Sequence, residues 1–316
     1  MSDKKKKEIK EEDYLRQHLD NLDATPQLQR PKEDPMDNVV MNDASRTTDL
    51  QFVSVDVKEL PCGRYYPKGT TLAVRAAQVR EIQSYSMVDD TNIYDVVEKM
   101  NDMLQSCVRI KYTDGSMGSY LDLKDQDRIY TIFLIRELTF QSGNTLGVDK
   151  ECTCGHTNKI ELLRSNFVFH EVDAKIEKFY NPITQSFSFN LNNGKHYELT
   201  LPNIGLQKSF SEYIIKEHSE DRKPDMAFLK IIPFMLDGRN SITYEGIKEK
   251  LKDFHKMDDI SFQFLNAAVD KLTLGIKGLK TNCEACGLEV HTDMTFPNGA
   301  SGIFVIHDAF EAFIEK

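Results

Sequence analysis

Tryptophan is absent from this chain, which removes one common aromatic anchor of interfaces and sugar sites and leaves 18 Phe and 12 Tyr to supply aromatic surface. No stretch approaches the ~20 apolar residues of a membrane span, so no transmembrane segment and no membrane partner are expected. The lysines at Lys4 to Lys7 have no apolar run behind them, so a secretory signal peptide is not expected either. A phosphate-binding loop ending in Gly-Lys-Ser/Thr, a nucleophile elbow and a paired-histidine metalloprotease helix are all missing, and the chain is not expected to be an enzyme. Positive charge is also short: 40 Lys and Arg stand against 50 Asp and Glu, a formal net charge of -10. An acidic chain repels a phosphate backbone, so nucleic acid is not an expected partner.

What is present suits a packed soluble protein. Of 316 residues, 40% are hydrophobic and 28% charged, a length that suggests about two domains. In a reducing cytoplasm six cysteines argue for metal ligation over disulfides. Four of them fall in two pairs, Cys152-Thr-Cys154-Gly155-His156 and Cys283-Glu-Ala-Cys286-Gly287. Each pair is followed by a glycine and a strand-like segment, the pattern of a zinc ribbon in which two thiolate-bearing turns close around one tetrahedral ion. Residues 155 to 282 lie between the halves, so the metal would clasp distant parts of the chain. The expected ligands of a structural Zn2+ are Cys152, Cys154, Cys283 and Cys286. The single residue between Cys152 and Cys154 is tighter than the common spacing. It leaves open a site in which His156 replaces one cysteine, and a reading in which the cysteines are small buried residues without metal. A catalytic zinc is not favoured, because four thiolates close the shell. Cys62 and Cys107 stand alone and read as packing residues.

Residues 1–49 are polar and charged, with Pro26, Pro31 and Pro35 and a thin apolar stripe over Glu8 to Leu22, and read as an extended or disordered arm. Folded sequence is expected from residue 50. Alternation over 51–57 predicts a strand, 71–75 reads as a second, and between them 60–69 is rich in turn residues, its Tyr65-Tyr66 pair expected to hold a neighbouring protein. Helical spacing predicts helices over 77–84, 92–105 and 124–137, the second burying Ile93, Val96, Val97, Met100 and Leu104 on one face, and the third burying Ile129, Ile132, Phe133 and Ile135 and capped by Asp122 or Asp125, with Asp122, Asp125 and Asp127 read as helix-start and surface charge. A strand over 159–163 leads away from the first cysteine turn. Residues 186–191 and 196–201 predict a β-hairpin whose Asn193-Gly194 supplies positive φ angles. Helices are predicted over 206–218, 225–236, 243–254 and 258–274, with Pro233 shortening the second and Ser241 or Thr243 capping the third. A strand over 288–296 and an apolar tail with Phe304, Phe310 and Phe313 follow.

The block Leu60-Pro-Cys-Gly-Arg-Tyr-Tyr-Pro-Lys-Gly69 resembles the Leu-Pro-Ser-x-Gly-x-x-Tyr opening of the baseplate hub and hub assembly proteins of T-even-like contractile-tailed bacteriophages. The segment Leu72-Ala-Val-Arg-Ala-Ala-Gln-Val-Arg-Glu81 is similar to that family's Val-Arg-Pro-Met-Thr-x-x-Asp/Glu step, with Ala76 in place of proline. Asp122-Leu through Asp127-Arg-Ile-Tyr to Arg136 resembles its helix before the first cysteine turn. The resemblance covers 51–165 and 272–313 in short blocks. Cys62 replaces the usual small hydroxyl residue, and the ending lacks a clean Phe-Phe-Arg.

The expected fold class is α+β: a mixed domain with a split zinc-ribbon-like motif and an inserted, mainly helical subdomain carrying one β-hairpin. The expected organisation is the arm at 1–49, a discontinuous α+β domain from 50–165 with 272–316, and the inserted subdomain at 166–271. The resemblance implies a non-enzymatic structural or assembly component of a contractile-tail baseplate. Its partners would be other tail and baseplate proteins, with a homo-oligomer within a symmetric baseplate. Its location would be the virion tail, and the host cytoplasm during assembly. The alternative is a zinc-ribbon regulator that binds nucleic acid or polymerase.

Overall fold

The computed structural model describes residues 51–140, 146–236, 239–296 and 299–304. All of these lie in one compact unit, Met41–Lys316. The expected arm at 1–49 and the tail residues Phe310 and Phe313 lie outside the described residues. The architecture is α+β.

The first layer is an antiparallel sheet of β1 (Val53–Asp56), β2 (Thr71–Val74), β3 (Val108–Lys111) and β4 (Met117–Gly118), in sequential order. β2 is central and buries Leu72 and Val74 completely. Between β1 and β2 runs the 60–69 turn. Gly63 lies so close to Val57 that a Cβ there would come within 2.0 Å of the Val57 carbonyl oxygen, which only glycine permits. Tyr65 and Tyr66, expected as a partner-facing pair, are buried instead. Tyr66 is drawn inward because its hydroxyl donates to the buried Asp127 Oδ2 at 2.7 Å and accepts from the Lys124 N–H at 2.7 Å.

Two helices follow β2. α1 (Val79–Ser86) begins two residues later than its periodicity suggests, because Glu81 Oε2 reaches back to accept from the Gln78 N–H at 2.7 Å and fixes the first turn there. α2 (Ile93–Cys107) buries Val96, Met100 and Leu104 as expected, but Ile93 is 66% exposed. α3 (Arg128–Thr139) is the core helix, with Ile132, Phe133 and Ile135 fully buried. Neither Asp122 nor Asp125 caps it. Asp127 precedes it without a capping bond, since its carboxylate is committed to the Cys62 N–H at 2.8 Å and to Tyr66.

The second half of the chain starts with a hairpin of β5 (Gly147–Glu151) and β6 (Thr157–Glu161). β7 (Phe167–Phe169) follows, then the short α4 (Ala174–Glu177). β8 (Tyr180–Asn181), β9 (Ser186–Asn190) and β10 (His196–Leu199) form a small sheet in the order β10-β9-β8. The predicted hairpin is β9–β10, with His196 opposite Asn190 and Leu199 opposite Phe187. Only Gly194 takes a positive φ, +79°, in its turn. Asn193 instead uses its side chain, accepting from the Lys195 N–H at 3.1 Å and donating to Ser261 Oγ at 3.2 Å.

Four helices follow. α5 (Ile204–Ser219) is capped by Asn203, whose Oδ1 accepts from the Leu206 N–H at 2.9 Å. α6 (Met226–Ile231) stops early because the turn 232–235 carries Pro233. α7 (Tyr244–Phe254) is capped by Thr243 and α8 (Asp259–Lys271) by Asp258. Last come β11 (Ile276–Asn282) and β12 (Glu289–Thr292). β11 pairs with β12 on one side and with β7 on the other, so the chain re-enters beside the place it left. His170 N–H donates to Gly275 O at 3.0 Å at this junction.

One hydrophobic cluster draws on every one of these elements except β4. Its aromatic centre packs Phe133 against Phe167 at 5.3 Å and against Phe296 at 6.2 Å between ring centroids. Phe304 belongs to this core, edge-on to Tyr85 at 5.0 Å.

Candidate metal centre

Two β-hairpins position the four cysteines. In the first, the turn after β5 closes by Cys152 N–H donating to His156 O at 2.8 Å and Gly155 N–H donating to Cys152 O at 2.9 Å. In the second, the turn after β11 closes by Cys283 N–H to Leu288 O and Gly287 N–H to Cys283 O, both at 2.8 Å. Gly155 and Gly287 hold φ of +85° and +74°, the left-handed conformation that lets each chain fold back under its sulfurs. β5 lies beside β12 and β6 beside β11, so the two turns face one another.

The sulfurs of Cys152, Cys154, Cys283 and Cys286 all lie within 4.8 Å of one another. Cys152 Sγ is 3.6 Å from Cys286 Sγ, and Cys154 Sγ is 3.7 Å from Cys283 Sγ. A tetrahedron with metal–sulfur bonds of ~2.3 Å has edges of ~3.75 Å, so these separations suit four thiolates on one ion. They are far longer than the ~2.05 Å of a disulfide, and all four cysteines are free. Both of these pairs cross between the hairpins, so a shared ion would join the two turns rather than close each alone. Cys152 and Cys283 are buried, while Cys154 and Cys286 are exposed.

Main-chain N–H groups point at the sulfurs. The Cys154 amide holds the Cys152 thiol below its ordinary range. For Cys283, burial raises the pKa, but the amides of Cys286 and Ala285 and the side chain of Asn158 outweigh it and leave it at about 6. Cys286 receives the Leu288 amide, yet burial and the three neighbouring sulfurs push it up to about 12. Four adjacent sulfurs resist ionising together without a cation between them, which is the electrostatic demand that a divalent metal meets.

His156 is not part of this group. Its ring turns outward to the Glu284 carboxylate, 3.9 Å away.

Asn158 was not singled out in the sequence. It is buried, and its Oδ1 accepts from the Glu284 N–H at 3.1 Å while its Nδ2 donates to His156 O at 3.2 Å. One carboxamide thus joins both cysteine turns and touches a sulfur. The signal was there: Asn158 and Ile160 on β6, with Leu162 just past its end, alternate as an inward row, and a polar residue in such a row needs a polar partner.

The other lone cysteines pack as expected. Cys62 and Cys107 are fully buried. Burial pushes both thiols up, helped at Cys62 by the Asp127 charge, and Cys107 reaches about 12. Among the described residues no helix is long and apolar enough to cross a membrane. No protein-family model, no curated protein and no solved structure matches this chain.

Proposed function

We propose that this protein is a non-enzymatic structural or assembly component of a contractile bacteriophage tail baseplate, in its hub region, and that a structural zinc holds it together. The observation that carries the structural part is the cross-hairpin set of four sulfurs at 3.6 and 3.7 Å. Four thiolates fill a tetrahedral shell and leave no position for substrate or an activated water. Zinc is the metal of choice because an all-sulfur tetrahedral set selects Zn2+ or iron.

On this reading the two hairpins are the halves of a split zinc ribbon, and 166–271 is a subdomain inserted between them. The β7–β11 pairing supports the insertion, because it brings the ends of that segment together. The zinc then clamps the same junction.

The tail assignment rests on the resemblance of the 60–69 and 122–136 blocks. These blocks meet in the core, where Cys62 and Tyr66 of one bind Asp127 of the other. The partners are other tail and baseplate proteins, with copies of this chain repeated around a symmetric baseplate. Its place is the virion tail, reached from the host cytoplasm. The net charge of -10 disfavours nucleic acid as a partner.

The test is co-sedimentation of a tagged copy with intact tails after infection, beside heparin chromatography at moderate salt. Sedimentation with tails and passage through heparin is the expected result. Retention on heparin with no tail association would replace this reading with a regulator of polymerase or nucleic acid.

A further inference from the structure

The two sulfur pairs that face each other across the hairpins share one asymmetry. In the pair at 3.6 Å, Cys152 is buried and Cys286 exposed. In the pair at 3.7 Å, Cys283 is buried and Cys154 exposed. A soluble oxidant therefore meets one member of each pair first, and the buried member stands beside the sulfur just oxidised.

Links within a turn are poorer. A Cys152–Cys154 disulfide would span only Thr153 and store strain. The two-residue spacing of Cys283 and Cys286 permits a link, but it would leave Cys152 and Cys154 with no partner but each other. Crossing between the hairpins uses all four sulfurs. The crossed links would join positions 134 and 129 apart in sequence, so each closes a long loop, the case in which a disulfide most restricts the unfolded chain.

We propose that this centre is a site of oxidative modification, at which hydrogen peroxide converts the four cysteines into two cross-hairpin disulfides, Cys152–Cys286 and Cys154–Cys283. First the exposed thiolate attacks the O–O bond of the peroxide, becomes a sulfenic acid and releases hydroxide. Then the buried thiolate attacks the sulfenic sulfur. The S–S bond forms, the S–O bond breaks, and a second hydroxide leaves. Each pair gives up two electrons, and each peroxide is reduced to two hydroxides. A disulfide sulfur is no longer a thiolate ligand, so a bound ion is released while a covalent clamp takes over the same junction. The clamp works as a metal centre in a reducing cytoplasm and as disulfides in an oxidising medium. The inference rests on the four-sulfur centre of the proposed zinc clamp and is independent of the tail assignment.

The test uses the full chain, purified under reducing conditions, with its zinc measured before and after peroxide is added beside a chromogenic chelator. Trypsin cuts after Lys150, Lys159 and Lys280, so Cys152 and Cys154 fall on one peptide and Cys283 and Cys286 on another. Crossed links join the two peptides, links within a turn leave them apart, and fragmentation assigns the partners. Non-reducing maps are expected to show Cys152 joined to Cys286 and Cys154 to Cys283. Thiols titrated after denaturation should fall from six to two, because Cys62 and Cys107 are fully buried. In chelator the oxidised protein should melt well above the reduced protein. Links confined to each turn, sulfinic acids in place of disulfides, six surviving thiols, or an oxidised protein that melts as low as the reduced one would overturn the proposal. Zinc released without crossed links would sink this inference and leave the zinc clamp standing. Crossed links in a protein that held no zinc would do the reverse.

Discussion

Asn158 Oδ1 accepts a hydrogen bond from the main-chain N–H of Glu284 at 3.1 Å, across 126 positions of sequence. The bond crosses from the first cysteine turn to the second and stands beside the sulfurs. It makes Asn158 a positioning residue for the candidate metal centre, in the way that hydrogen-bonded neighbours orient ligands in metal sites.

Asn158→Ala is expected to lower metal affinity by about 10–100-fold while leaving the metal stoichiometry unchanged. Competition with a chromogenic chelator reads this directly. An affinity equal to that of the unsubstituted protein would reduce Asn158 to a packing residue.

Purified protein is expected to hold one zinc per chain by elemental analysis. Cys283→Ser should lose the metal and lower the melting temperature, because metal binding is linked to folding and contributes on the order of 10 kcal/mol in small zinc peptides. A strong chelator should destabilise the unsubstituted protein and leave Cys283→Ser unchanged. Zinc-free protein of undiminished stability would remove the metal from the account.

Asp127 should make stability depend on pH. It is fully buried, and burial raises its pKa to about 6, against the opposing effect of hydrogen bonds from Tyr66 and Cys62. A carboxyl raised in the fold favours folding while protonated. Its contribution is fully present below the unfolded value of about 3.9 and is lost as pH rises through about 6. The loss is on the order of 3 kcal/mol at neutral pH. The stability difference between the protein and Asp127→Asn should therefore shift across pH 4 to 6, moving against the native residue as pH rises. Urea titrations of both at several pH values measure it. A difference that stays flat across this window would contradict the assignment.

Arg75 and Glu81 form a buried bidentate ion pair, with contacts of 2.9 and 2.6 Å, and both side chains are less than a tenth exposed. Either Arg75→Met or Glu81→Leu alone leaves one buried charge unpaired and should cost about 3–5 kcal/mol. The double variant should recover much of that loss. Additive losses in a double-mutant cycle would show that the two side chains act independently.

Local order was legible in the sequence because it depends on neighbours a few residues apart. Thr243 and Asp258 announced the starts of α7 and α8, and the spacing of Ile132, Phe133 and Ile135 announced the buried side of α3. The cysteine spacing named the four sulfurs, because a tight turn followed by glycine is a local device for presenting thiolates. What the sequence did not carry was every contact between distant segments. Asp127 read as a helix start, and the fold made it a buried hub for Cys62 and Tyr66. Tyr65 and Tyr66 read as a surface pair and became core, while Ile93 read as core and became surface. β7 was too short to stand out by periodicity, and its pairing with β11, with β6 beside β11 and β5 beside β12, shows why the cysteine turns can meet. Hydrophobic periodicity gives each element a face. Which element covers that face, and which polar group must then find a partner inside, is decided by the tertiary packing that closes over it.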